Sequence, residues 1–331
     1  NAFSNLRINL QLETEYDKIN SKLNNLHEGI QSENDNHGYK VFTTVTPSYN
    51  FNRNRFSFSL NLPIQYINIS YDDDILKSTF KFSKPYLNPE ANIRYAFSPA
   101  FSLSARSGFR HSTGDILSFI MHPIQKSHNK VFYGESGILS HNQSKSASLR
   151  YDYRHAMNGL FSSLSVMYNR SKKNILRGSN VSDDGLVTSM GTGTKNYANM
   201  FSSNFYVAKN MHNIKTTFAL NAGYTYSQNQ GIRQDKPISY SSNLASLYPS
   251  INFRSIKWLS LRAQGSISIL SQKINDVSNS SSSITNWGVN IDFSVLPMDN
   301  IEIYYLLDYR NNPTSLNMRE QGYFMDAGFR Y

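Results

Sequence analysis

Cysteine is absent from this chain. That removes disulfides, thiolate metal sites and thiol nucleophiles together. Long apolar runs are missing as well. The best of them, 116–121, falls far short of the ~20 residues that a membrane-crossing helix needs. Tryptophan occurs only twice, and acidic residues are outnumbered, 23 against 33 Lys and Arg, for a net charge of +10. The basic residues are scattered along all 331 positions, not gathered in runs or on one helix face. Scattered charge of this kind speaks against nucleic acid as a partner. The first residues, Asn1-Ala2-Phe3, lack the basic start and apolar stretch of a signal peptide. The sequence is therefore expected to be a mature form or a piece of something longer.

Tyrosine (22) and phenylalanine (20) are abundant, and Ser and Asn cluster between the apolar stretches. This mixture suits strands with one lipid-facing side. The organising signal is strict alternation with period two. Phe56, Phe58, Leu60, Leu62, Ile64 and Tyr66 share one parity, with Ser57, Ser59, Asn61, Pro63 and Gln65 between them. Phe101, Leu103, Ala105 and Phe109 alternate with Ser102, Ser104, Arg106 and Arg110. The same reading holds for 147–154, 217–226, 259–269 and 287–295. Such runs number about fourteen, most near the ~9–11 residues of a tilted membrane strand.

Short and long connections take turns. Short ones fall at 52–54, 98–100, 155–158, 209–213, 254–257 and 297–300. Long polar ones fall at 17–38, 67–88, 111–144, 171–196, 229–243, 271–285 and 311–320. Tight periplasmic turns and long outer loops give this rhythm. The outward parity then carries two aromatic belts, placed where rings favour the membrane interface. One comprises Phe51, Phe56, Phe97, Phe101, Tyr153, Phe253 and Tyr331; the other Tyr66, Phe109, Tyr168, Tyr226, Trp287 and Tyr309. The expected fold is all-β: an antiparallel transmembrane β-barrel, a single domain over 1–331, in the outer membrane of a Gram-negative cell with lipid and lipopolysaccharide around it. A soluble propeller would show a repeated motif per blade, and none is present.

Motifs for catalysis are weak, and the chain is read as not an enzyme. Gly191-Thr-Gly-Thr-Lys195 lacks the full phosphate-loop spacing, and Gly134-Glu-Ser136-Gly137 is one residue short of a nucleophile elbow. His111, His122, His128 and His141, with Asp115 and Glu135, match no metal template, so no metal and no cofactor are expected. Asp72-Asp73-Asp74 reads as a solvated charge run. More informative are the arginines on the polar parity. Arg94, Arg106, Arg110, Arg150, Arg154 and Arg262 are the candidate ligand-binding residues facing the barrel interior, with Arg7 on the same parity. Carboxylates there are fewer, among them Glu13, Asp152, Asp292, Glu302 and Asp308. Arginines lining a pore favour anions; alternatively, they pair with acids across strands.

One segment goes beyond a generic barrel. Ser144-Lys-Ser-Ala-Ser-Leu-Arg-Tyr-Asp-Tyr-Arg154, Gly159-Leu-Phe161 and Tyr168-Asn-Arg-Ser-Lys-Lys-Asn-Ile-Leu176 resemble the barrel half of TonB-dependent outer-membrane receptors. The group with a carboxypeptidase-regulatory-like domain is the nearest in character. Pro89-Glu-Ala-Asn-Ile-Arg-Tyr95 and Tyr323-Phe-Met-Asp-Ala-Gly-Phe-Arg-Tyr331 are similar too. The resemblance implies import of a bulky nutrient, a plug domain, a TonB-type energy-coupling partner and a surface lipoprotein. It also implies a barrel of about twenty-two strands, of which this chain would supply part. Nothing in the sequence matches a plug or a TonB box. A complete fourteen-stranded passive channel or small-solute transporter is the alternative.

Three structural expectations follow. Phe58, Leu103, Tyr151, Leu220, Leu261 and Ile291 should share the lipid face, and Asn61, Arg106, Arg150, Asn221, Arg262 and Asp292 the other. The 111–144 connection should fold over or into the barrel, because its apolar patch could not stay solvated as coil. In a piece of a larger barrel, the strands near 6–12 and 323–331 should not pair fully with each other.

Overall fold

The computed structural model describes residues 2–25, 30–114, 119–120, 122–127, 129–133, 137–183, 185–275, 280–298, 300–315 and 318–330. Asp115, His128, Glu135 and Tyr331 lie outside the described residues, as do 116–118, Met121, Gly134 and Ser136. The chain is a sheet of twenty strands: β1 (Ala2–Asn25), β2 (Ile30–Arg53), β3 (Phe56–Asn61), β4 (Ile64–Asp73), β5 (Ser78–Leu87), β6 (Glu90–Ala96), β7 (Phe101–Thr113), β8 (Ile124–Ser127), β9 (Lys130–Phe132), β10 (His141–His155), β11 (Leu160–Lys173), β12 (Leu176–Val181), β13 (Val187–Thr192), β14 (Asn196–Met211), β15 (Thr216–Arg233), β16 (Lys236–Phe253), β17 (Leu259–Asn275), β18 (Ser281–Met298), β19 (Ile301–Ser315) and β20 (Met318–Arg330).

Twenty strands correct the expectation of about fourteen, and the reason is local. Two passes are each cut in two by a proline, which cannot donate to a ladder. β3 and β4 are separated at Leu62-Pro63, and β5 and β6 at Asn88-Pro89. The register runs unchanged through both cuts, since β2 pairs Ser48 with Asn61 and then Val45 with Ile64. Four further strands, β8, β9, β12 and β13, are short and lie within connections. Taking each cut pair as one pass and leaving those four aside, fourteen full passes remain.

Each pass pairs antiparallel with the next, from β1–β2 through β19–β20. Tight turns sit where short connections were expected, as at Asn54 and at Gly159, both with positive φ. The stretches read as long polar connections are instead largely strand. β1 runs to Asn25 and β2 begins at Ile30, so 17–38 is mostly a hairpin. The 229–243 stretch turns through Gln234 and Asp235 alone, both left-handed, the two-residue geometry that matches strand twist. Away from lipid both faces of such hairpins are polar, so alternation has nothing to display.

Directly opposed residues share a face, so the registers test the parity reading. Leu103 faces Tyr151, Tyr151 faces Leu164, Leu164 faces Phe205 and Phe205 faces Ala222. Leu247 and Ile267 continue the row to Trp287. Following every ladder in this way puts all six expected lipid residues on one face and all six polar ones on the other. The described members of both aromatic belts fall on the apolar face, with Trp287 and Tyr309 rings 4.8 Å apart and Phe51 and Phe56 rings 6.1 Å apart; Tyr331 lies outside the described residues.

The sheet has two edges. Among the described residues no pairing joins β1 to β20. Exposure shows the difference: Leu10 on β1 is 70 % exposed and Phe329 on β20 is 74 %, whereas Phe205 and Leu247 in the middle are 37 % and 39 %.

The core sits at the outer end, on the polar face. Ile67, Ile69, Tyr71 and Tyr86 are buried there with Phe119 and Leu139 from the 114–140 connection, flanked by Phe42, Phe80 and Phe82. The Phe119 ring lies 4.5 Å from that of Tyr71 and 4.4 Å from that of Phe80. The Ser32 hydroxyl donates to the Pro123 carbonyl at 2.7 Å. The described part of this connection therefore folds inward, with Phe119 and Ile120 of its apolar patch buried.

Candidate functional site

The polar face is concave. One cavity of about 710 Å³ draws its lining from seven neighbouring passes, β1 through β11, and includes Glu13, Glu90, Arg106 and Arg110. A second, of about 680 Å³, lies between β16 and β19 and includes Arg262, Asp292, Asp308 and Arg310. All six candidate arginines share this face by register, but the structure does not bring them to one place. Arg106 and Arg110 reach the first cavity and Arg262 the second. Arg94, Arg150 and Arg154 gather around Asp152.

Pairing accounts for most of them. Arg106 Nε donates to Glu90 Oε1 at 2.6 Å. Arg150 grips Asp152 with two parallel bonds of 2.7 and 3.0 Å, the fork geometry that suits guanidinium and carboxylate. Arg154 lies 3.8 Å from the same carboxylate, and Arg94 donates to Ser102 Oγ at 3.5 Å. Among the described residues Arg110 and Arg262 make no hydrogen bond or ion pair, which leaves each available to a solute. Each cavity carries two acids and two arginines, so neither selects anions by net charge. Most of the remaining lining of the first is hydroxyl and amide, as at Gln11, Thr44, Thr46, Gln65, Ser144 and Asn169, with Pro63, Pro89, Phe109 and Met167 among them. Such a surface offers donors and acceptors in similar number.

Sequence reasoning missed the inner apolar cluster, because it fell in a stretch read as a loop. A signal was present. Apolar residues occupy even positions through Tyr66 and then switch to odd ones at Ile67, Ile69 and Tyr71. That switch marks the height at which the wall leaves lipid and the inner face becomes covered. Beside this cluster Lys40 is buried between Glu15 and Asp17, with Nζ 3.0 and 3.2 Å from their carboxylates. Burial pulls its ammonium down, but the Glu15 hydrogen bond, Tyr71 and Asp17 outweigh it and hold the pKa above the ordinary lysine value.

His111 and His141 do meet, with rings 5.5 Å apart and Tyr86 against both, at 4.6 and 5.3 Å. This is ring packing, and among the described residues no group of acids and histidines is arranged to hold a metal.

Four short strands complete the outer end. β8 pairs with β9, β9 with β13, β13 with β12, and β12 with the tip of β15. At the other end β8 lies against Ser21, Lys22 and Leu23 of β1. The result is a strap running from the first pass to the ninth across the mouth of the concave face.

No family model matches the sequence, and no curated protein matches it. Among solved structures, OmpT, an outer membrane protein of Vibrio cholerae, is similar at 9 % identity and a TM-score of 0.35, over 99 % of this chain and 97 % of that one. The outer membrane transporter YddB from Escherichia coli is similar at 11 % and 0.38, over 94 % of this chain and 54 % of that one. The toluene transporter TodX of P. putida is similar at 12 % and 0.25, over 99 % and 88 %. Likeness this loose carries no argument about activity. It does require one correction. The sequence reading excluded an enzyme, yet the similar structures include OmpT, and a shared strand architecture excludes no catalysis, so that exclusion is withdrawn. Location rests on the chain's own geometry. With one face apolar, two aromatic belts on it and a polar concave face behind, this is a multi-pass β-barrel protein of the outer membrane.

Proposed function

We propose that the chain forms wall of a TonB-dependent receptor that imports a bulky polar nutrient. Its one barrel domain would hold the strapped hairpins outside the cell. A plug domain, a TonB-type energy-coupling protein and a surface lipoprotein are the partners this reading calls for. Solute would meet the mixed amide, hydroxyl and charged lining of the concave face, with Arg110 and Arg262 as its unpaired cations.

The observation that supports the receptor over a passive channel is the pair of open edges. Hydrocarbon offers no partner for unpaired backbone groups, each of which costs several kcal/mol, roughly, when left bare. β1 and β20 therefore need further strands beside them. A stand-alone channel of fourteen passes needs them to zip together instead. Because the chain has no cysteine, introduced pairs read cleanly. Cysteines placed across positions 6–12 and 323–329 of the whole protein in native membranes are expected to give no intrachain disulfide on oxidation. An efficient cross-link in one register would put the passive channel in the receptor's place.

A further inference from the structure

The outward face carries charge beyond the outer aromatic belt, and two parts of it differ. On β1 and β2 the charges are paired: Lys18 with Asp35 at 3.9 Å and Lys22 with Glu33 at 3.7 Å. On β10 and β11 they are not. Lys145 lies directly opposite Arg170, and Lys172 follows two residues along the same face. All three are exposed, and among the described residues none makes a hydrogen bond or ion pair. Their same-face neighbours in register are Phe109, Gln143, Asn199 and Tyr197, with no carboxylate.

Like charges directly opposed across a ladder destabilise it, and among the described residues no carboxylate relieves the pair. Two rings hold the cations outward. Lys145 Nζ lies 5.7 Å from the Phe109 ring centre and Arg170 Cζ 5.0 Å from that of Tyr197. Tyr168, two residues before Arg170, belongs to the outer aromatic belt, so the trio stands at headgroup height. Three cations facing lipid at that height match a phosphate-bearing headgroup, because guanidinium and ammonium donors bind phosphate oxygens with charge-assisted bonds. Zwitterionic headgroups would bring an amine against them.

We propose that Lys145, Arg170 and Lys172 form a docking site for the phosphate groups of a phosphorylated glycolipid of the outer leaflet. The site rests on the reading that the strapped end faces the cell exterior. That reading has its own readout, protease cleavage at the Gln234–Asp235 turn in intact cells, so the two can fail separately.

The test measures binding of bis-phosphorylated lipid A and of its dephosphorylated form to the full protein in mixed micelles. The parent is compared with K145Q/R170Q/K172Q, with the charge-preserving K145R/R170K/K172R, and with K18Q/K22Q, whose lysines are already paired. Loss of charge-assisted bonds should weaken binding about tenfold or more in the glutamine triple. Removing the phosphates should do the same to the parent. The charge-preserving triple and K18Q/K22Q should stay within about twofold of the parent. Equal affinity for both lipids, or equal binding by the parent and the glutamine triple, would overturn the site. So would full competition by inorganic phosphate at concentrations equal to the lipid, since that would show a free-anion site.

Discussion

Passes β1 to β15 and passes β16 to β20 alternate apolar and polar residues in the same way, yet their outer ends are built differently. In the first group the inner face near the mouth carries an apolar cluster on β4 and β5, covered by Phe119 and Leu139, and is tied across by the strap. In the second group hairpins stand bare. Among the described residues no buried hydrophobic side chain lies beyond Ala208. Within the membrane the two groups need only lipid on one side and water on the other. Above it, lipid no longer orders one face, and only the first group has an interior of its own to replace it. The difference teaches that a wall of uniform pattern can carry a packed outer end on one arc and bare hairpins on the next.

The largest effect expected comes from emptying that interior. Phe119→Ala removes a buried ring and should cost the outer end about 3–5 kcal/mol. Hydrogen exchange should speed up in the outer halves of β4 and β5 and stay unchanged in β17 and β18. Equal acceleration in both groups would erase the comparison.

What the groups share is probed next. Leu220→Arg puts a charge on the lipid face near mid-membrane and should cost about 2–4 kcal/mol, whereas Asn221→Arg on the concave face should cost little. Folding titrations of the two variants in lipid vesicles would show this. If the costs were equal, the assignment of faces would fail in both groups.

The smallest effect concerns acidity. Burial first, then the charges of His111 and Lys84, lower the pKa of His141 below the ordinary histidine value. A lowered histidine favours the folded state while neutral, so packing against Tyr86 is at full strength above the ordinary value. It should weaken as pH falls through His141's own lower one. Exchange at the outer ends of β7 and β10 should therefore rise on acidification, with β18 and β19 unmoved. His141→Gln should flatten that response; an unchanged response would assign it elsewhere.

Much of this was legible in the chain. Alternation at 56–66 or 101–110 needs no partner to be read, because lipid on one face dictates it. All six candidate arginines landed on the concave face for the same reason. Their distribution could not be read. Which acid Arg150 would meet depends on the geometry around Asp152, and the charge balance of each cavity depends on which passes lie side by side. The strap was hidden for a different reason. Lys130 pairs with Val187 and Gly178 with Ile232, contacts between distant stretches too short to carry a period. Hairpin tips such as 20–25 were read as loops because Asn, Ser and Lys occupy both parities.

The strap also sets a girth. Set beside β1 at one end and paired with β15 at the other, it spans the outer rim like a hoop, and a hoop widens only where it parts. Its shortest strand pairing is the two-residue contact of Gly178 and Ser179 with Ile232 and Arg233. There the missing side chain of Gly178 lets backbones touch, since a Cβ would come within 2.4 Å of Ile232. Aperture is thus governed by a few residues that never cross the membrane. Lengthening or shortening the links between those small strands would resize the opening and leave every pass of the wall as it is.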